Sequence, residues 1–194
     1  MDGIGRSKSD DKHFGALECA RVADHALLTG APLGFPVPHS RWNGLAEEDL
    51  VVRGYTVLAR TGDGEVDTFV KHANSLFVFF QGHPEYEADT LLREYRRDIG
   101  RYIRDESNSY PLVPTGYFDQ ATADALSALR EQAIVRRSPK LLANVSALLE
   151  KPEIENTWRL TAALIYRNWL EYIRARKQST QIYHGVRFAI AAAR

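Results

Sequence analysis

Several things are scarce in this 194-residue sequence, and each scarcity removes a class of protein. There is one cysteine, which excludes an internal disulfide framework and any metal site built from several thiolates. Charge of one sign is also missing. Lys and Arg total 25, Asp and Glu total 25, and the formal net charge is zero, so no global basic field draws the chain to nucleic acid. Long apolar runs are absent: a stretch such as Leu76–Phe80 is far too short to cross a bilayer. The opening Met1-Asp2-Gly3-Ile4-Gly5-Arg6 carries no apolar signal region, and no repeat recurs along the chain. These features lead us to expect a cytoplasmic globular protein with no nucleic-acid or membrane partner.

What remains is an ordinary apolar fraction of 44%, enough for one domain with a real core. Residues 1–11 are polar and glycine-rich and read as a disordered lead-in. Phe14–Val22, Tyr55–Arg60, Glu65–Lys71 and Leu76–Phe80 read as strands, the middle pair joined by a turn at Thr61-Gly62-Asp63-Gly64. Leu76–Phe80 has no polar alternation, which predicts burial on both faces. Leu27–Phe35 reads as loop. Phe35–Arg41 cannot be helical, because Pro36 and Pro38 hold their predecessors extended, and we expect a rigid loop there. Helical periodicity marks Glu87–Arg104, Gln120–Arg136, Lys140–Glu150 (ended by Pro152) and Thr157–Lys177, with a short helix expected over Phe188–Ala193.

The candidate chemistry follows the apolar run at Leu76–Phe80. Gly82-His83-Pro84-Glu85 places an imidazole and a carboxylate two residues apart on a segment that Pro84 keeps extended, so both side chains can face one pocket. Histidine is a general base near neutral pH, and a carboxylate orients it. An incidental pair on a surface loop fits the same residues, and the residues alone leave both readings open. A zinc deaminase, which also begins His-x-Glu, is excluded because its two-cysteine partner motif is missing. Cys19 lies inside an apolar strand with no glycine elbow to expose it, which predicts a buried, inert thiol. Pro38-His39-Ser40-Arg41 could hold a small polar substrate or be a plain turn. Arg97 could clamp a carboxylate, although its place in an Arg96-Arg97 pair equally suits a solvated side chain. The aromatics from Trp158 to Trp169 have the spacing of a helix packed on the core.

Taken together, four blocks resemble one family. Gly82-His83-Pro84-Glu85-Tyr86, continuing through Asp89-Thr90-Leu91 and Glu94-Tyr95-Arg96-Arg97-Asp98, is similar to the homoserine O-succinyltransferases, some members of which use acetyl-CoA. Lys12-His13-Phe14-Gly15-Ala16-Leu17-Glu18, Pro38-His39-Ser40-Arg41, and Trp158-Arg159 with Leu164–Leu170 agree in order. The resemblance implies an α/β fold: the C-terminal half of a flavodoxin-like, class I glutamine-amidotransferase-like layered fold, with extra C-terminal helices and half of a parallel sheet. Within it, residues 12–118 would be the acyltransferase-like part, 119–156 a helical insertion, 157–177 the family's C-terminal helix, and 178–194 a tail.

The resemblance also implies a function in methionine biosynthesis. A cysteine accepts a succinyl or acetyl group from acyl-CoA, and the homoserine hydroxyl then takes it. His83 falls on the general base and Glu85 on its orienting acid. Lys12, Ser40 and Arg97 fall on substrate-binding positions, with Arg97 meeting the amino-acid carboxylate. Acyl-CoA would be a co-substrate, with no bound cofactor or metal, and a homodimer is implied. The family's nucleophile lies upstream of the lysine segment, whereas only eleven residues precede Lys12 here. Cys19 sits where the family usually has histidine. The expectation is therefore a base half without its nucleophile, served by a separate chain carrying the cysteine half or persisting as a binding or regulatory remnant. A relative that acylates serine is a further alternative.

Overall fold

The computed structural model describes residues 3–150 and 154–192. Among the described residues, five strands, β1 (Ser7–Arg21), β2 (Gly34–Gly44), β3 (Thr56–Thr61), β4 (Val66–His72) and β5 (Leu76–Phe80), precede four of the five α-helices. The exception is α1 (Glu47–Val52), which lies between β2 and β3. The others are α2 (Thr90–Ile103), α3 (Gln120–Val135), α4 (Pro139–Leu148) and α5 (Arg159–Ala192). The strands form one sheet in the order β2-β1-β3-β4-β5. The α/β class expected from the sequence is observed, but strand direction is not as expected: every strand pairing is antiparallel. Hairpin-length links such as Thr61-Gly62-Asp63-Gly64 permit only antiparallel neighbours, since a parallel pair needs a long crossover.

Alternation along the strands builds two apolar layers. Val57 and Phe69 join Leu45, Leu50, Tyr55 and Val66 on one face; Leu58 and Val70 join Leu27, Leu28, Phe35, Val37 and Ile165 on the other. A third cluster joins α2, α3, α4 and Trp158, just before α5, to Phe14 and Ala16 of β1. Asn168 of α5 donates from Nδ2 to the carbonyls of Leu27 (3.0 Å) and Thr29 (2.9 Å), which ties the long helix to the turn after β1. Gly15 admits Thr115 against β1. A Cβ at Gly15 would lie 2.2 Å from the Thr115 carbonyl oxygen, and φ is +144°.

Several sequence expectations are corrected. Ser7–Asp11 is strand rather than part of a disordered lead-in. Residues 35–41 are not a loop but the body of β2. The two prolines are tolerated because Ala16 and Glu18, their β1 partners, turn their backbone groups elsewhere: Ala16 N–H to Thr115 O and Glu18 O to Gly62 N–H. The missing proline donors thus fall on the outer edge of β2. β5 is not buried on both faces: it ends the sheet and leaves Phe77 50% exposed. Its unbroken apolar run serves both layers, with Phe79 stacked on Phe69 at 5.0 Å and Leu76, Val78 and Phe80 packed toward α5. The helix expected over Phe188–Ala193 is the continuation of α5 to Ala192; Ala193 and the Pro152 helix stop lie outside the described residues. Among the described residues, no helix is long and apolar enough to cross a membrane.

Candidate active site

The chain leaving β5 folds back onto the sheet through three backbone donors. Gln81 N–H bonds Asp67 O (2.9 Å), Gly82 N–H bonds Asp67 Oδ1 (3.2 Å), and His83 N–H bonds Pro38 O (2.7 Å). The sheet curls far enough for a residue beyond β5 to reach the outer edge of β2. Only glycine fits at position 82, because a Cβ there would lie 2.5 Å from Val37 Cγ1 and 2.8 Å from His39 Nε2. His83 therefore starts from a rigidly held backbone, and Pro84 prevents it from entering a helix.

His83 and Glu85 do face one another. Nδ1 of His83 lies 2.9 Å from Glu85 Oε1, with the side chains 37% and 56% exposed. An ionised carboxylate only accepts, so Nδ1 carries the proton and Nε2 of the neutral ring keeps its lone pair. This is the tautomer a general base requires.

Lys12, Ser40 and Arg97 converge on one face of α2. Glu94, Arg97 and Asp98 are spaced i, i+3, i+4, which aligns them on that helix. Ser40 donates its hydroxyl to Glu94 Oε2. Tyr86 donates to Glu94 Oε1 at 2.9 Å. Lys12 Nζ donates to Asp98 Oδ2 at 3.2 Å, lies 3.9 Å from Glu94 Oε2, and sits over the Phe14 ring. Arg97 Nε donates to Asp98 Oδ1 at 2.9 Å and is otherwise largely in solvent. Burial alone would raise the Asp98 pKa; the Arg97 hydrogen bond and the nearby Lys12 ammonium outweigh it and hold the carboxyl below its usual range. Tyr86 joins the two groups of residues, because its ring stacks on His83 with centroids 4.3 Å apart.

A second constellation lies under the loop. Cys19, His39 and Asp67 are buried together, with Cys19 Sγ 4.0 Å from His39 Nε2 and His39 Nε2 3.2 Å from Asp67 Oδ1. Arg41 Nε donates to His39 Nδ1 at 3.3 Å, so Nε2 carries the proton and points it at Asp67. Thr68 Oγ1 donates to Asp67 Oδ2 at 2.6 Å. The thiol of Cys19 is pushed up strongly by burial, then by the Asp67 and Glu18 carboxylates. The three residues offer ligand atoms within 4.8 Å of one another. In this arrangement the Gly82 backbone packs over the His39–Asp67 pair, and Asp67 accepts from Gly82 N–H and Thr68 Oγ1, so the trio forms a hydrogen-bonded support beneath the loop.

The residues missed from the sequence are Tyr86, Glu94, Asp98 and Asp67. Glu94 and Asp98 carried a signal in their spacing to Arg97. Asp67 carried one as the lone acid in β4, where residues 66–70 are otherwise apolar or Thr.

A family model described as "HTS: Homoserine O-succinyltransferase" matches residues 1–180. The homoserine O-succinyltransferase of Methylorubrum extorquens is 44% identical over 176 residues, which cover 91% of this chain and 53% of that protein. That of Rhodopseudomonas palustris is 43% identical, over 88% of this chain and 51% of that protein. The chain thus spans about half the length of the curated relatives it matches. Among solved structures, a glutamine amidotransferase from Methylobacillus flagellatus aligns with TM-score 0.47 and 14% identity, over 87% of this chain and 56% of that chain.

Proposed function

This chain belongs to the homoserine O-succinyltransferase family, and on that premise we propose that it supplies the base half of an O-acyltransferase. The acceptor is the hydroxyl of homoserine and the donor an acyl thioester derived from succinyl-CoA. The observation that carries this reading is the His83 Nδ1–Glu85 Oε1 hydrogen bond, which leaves Nε2 free to accept a proton. In the proposed step the homoserine oxygen attacks the thioester carbonyl while its proton passes to His83 Nε2. The C–S bond then breaks, the ester is released, and the proton moves from Nε2 to the departing thiolate. Glu85 holds the ring and stabilises the imidazolium. Lys12, Ser40 and Arg97 bind the amino acid, Arg97 toward its carboxylate.

Cys19 is not the acyl carrier in this reading, because its thiol is buried, raised in pKa and packed against His39. The carrier is a cysteine outside these 194 residues, in the same polypeptide or a separate one. That same burial supports a second reading, in which the chain binds the amino acid or part of acyl-CoA without catalysing transfer. Co-expression with the cysteine-bearing half of a relative, followed by mass-spectrometric detection of acylated amino acid, separates the two. O-Succinylhomoserine is expected. O-Acetylhomoserine or O-acylserine alone would change the substrate assignment, and binding without product under every donor and acceptor would favour the second reading.

A further inference from the structure

The proposed transfer gives Tyr86 no role, yet Tyr86 touches both halves of the site. We infer that Tyr86 is a positioning residue for His83, its ring clamping the imidazole and its hydroxyl latching that clamp to Glu94. The inference rests on the acyl-transfer reading for its purpose, but its geometry stands independently.

The His83 imidazole is 37% exposed on a loop, and a hydrogen bond to the more exposed Glu85 restrains only one edge of it. A solvent-facing pair of this kind is weak by itself, since water competes for both partners. The second restraint is the Tyr86 ring, stacked at 4.3 Å with the two planes only 14° apart. Stacking fixes the plane of the imidazole, and the Glu85 bond then fixes its rotation within that plane. Together they leave Nε2 aimed in one direction.

Tyr86 can act as a clamp because it is itself held at three points. Its N–H donates to His83 O at 3.0 Å. Its carbonyl accepts the Trp158 indole N–H at 2.9 Å, from a buried side chain just before α5. Its hydroxyl donates to Glu94 Oε1 at 2.9 Å. Burial, then the hydrogen bond to Glu94, pushes the phenol well above its ordinary range, so the hydroxyl stays protonated and remains a donor. The other Glu94 oxygen accepts from Ser40 and faces Lys12 at 3.9 Å, so the latch is anchored in the group of residues assigned to the amino acid.

The test reads the His83 ring directly, by 15N NMR of the full chain at pH 8, where tautomers are distinguished by the shifts of the two ring nitrogens. The Nδ1–H form is expected to dominate in the wild type. Tyr86→Phe keeps the ring and loses the latch, and a partial loss of that form is expected. Tyr86→Leu loses both, and the Nε2–H form of unrestrained histidine should take over. Glu94→Gln removes the charged anchor without touching Tyr86 and should behave like Tyr86→Phe, which keeps the question answerable if Tyr86→Leu does not fold. A backbone amide spectrum identifies folded variants. In the reconstituted enzyme, kcat should fall about tenfold for Tyr86→Phe and about a hundredfold for Tyr86→Leu, with KM little changed, the scale expected when a reacting group is misaimed. An unchanged His83 tautomer in the folded variants overturns the inference. A shifted tautomer in a chain that never supports transfer leaves the clamp standing and removes the acyl-transfer reading instead.

Discussion

Two histidine–carboxylate pairs lie on either side of Gly82, and they are opposite in burial and in the arrangement of their protons. His39 and Asp67 are buried, with Cys19 beside them, so this cluster holds every residue type of a nucleophile triad. His83 and Glu85 are half-exposed and have no thiol next to them among the described residues. The difference lies in where the proton sits. Arg41 donates to His39 Nδ1 and forces its proton onto Nε2, where Asp67 accepts it; both nitrogens are occupied and neither is reachable. Glu85 accepts from His83 Nδ1 and leaves Nε2 with a lone pair. Residue types do not make a catalytic site; access and tautomer do.

The widest separation between the pairs should come from deleting one acid and one base. Asp67→Ala removes the acceptor for Gly82 N–H, Thr68 Oγ1 and His39 Nε2 at once, leaving buried donors unpaired. A loss of about 3 kcal/mol or more is expected in urea unfolding, since each orphaned donor costs about 1–3 kcal/mol. A loss near zero would show that the buried pair is not a support. His83→Ala should cost less than about 0.5 kcal/mol of stability, as surface changes do. It should nonetheless lower reconstituted transfer about 100-fold or more, the usual share of a general base. A smaller effect shows up with acid. Asp98 has a lowered folded-state pKa, so its contribution to stability is fully present above its unfolded value and is lost as pH falls through the folded value. Unfolding measured from pH 6 down to pH 2 should therefore be less steeply pH-dependent in Asp98→Asn than in the wild type. Equal slopes would remove Asp98 from the account. The smallest effect is that of Arg97→Ala, within about 0.5 kcal/mol in stability because the guanidinium is largely solvated. Its consequence should instead be a raised KM for the amino acid.

How much of this was legible beforehand differs between the same two regions. The His83–Glu85 pair was visible because one local constraint, Pro84, sets its geometry, and the strand before it was apolar enough to locate. Ser40 and Arg97 stood as open candidates on their residue types, Lys12 came from family resemblance, and no local pattern joined the three. Glu94 and Asp98, which do join them, lie on one face of α2, but their partners come from β1 and β2, 54 to 86 residues away. Pairings at that distance leave no periodicity. Prolines at 36 and 38 suggested a loop because a proline cannot donate to a neighbouring strand. They sit in β2 all the same, since that strand ends the sheet and their missing donors face its outer edge. The parallel sheet implied by resemblance gave way to an antiparallel one because the links between β3, β4 and β5 are too short for crossovers.

The comparison between the two pairs reduces to one measurement. The chain, the cysteine-bearing half of a relative, succinyl-CoA and homoserine are combined, and O-succinylhomoserine is quantified for the wild type, Cys19→Ala and His83→Ala. Product at comparable levels from the wild type and Cys19→Ala, and almost none from His83→Ala, is the predicted result. Product that persists in His83→Ala, or that disappears in a folded Cys19→Ala chain, would place the chemistry in the buried cluster and contradict the account.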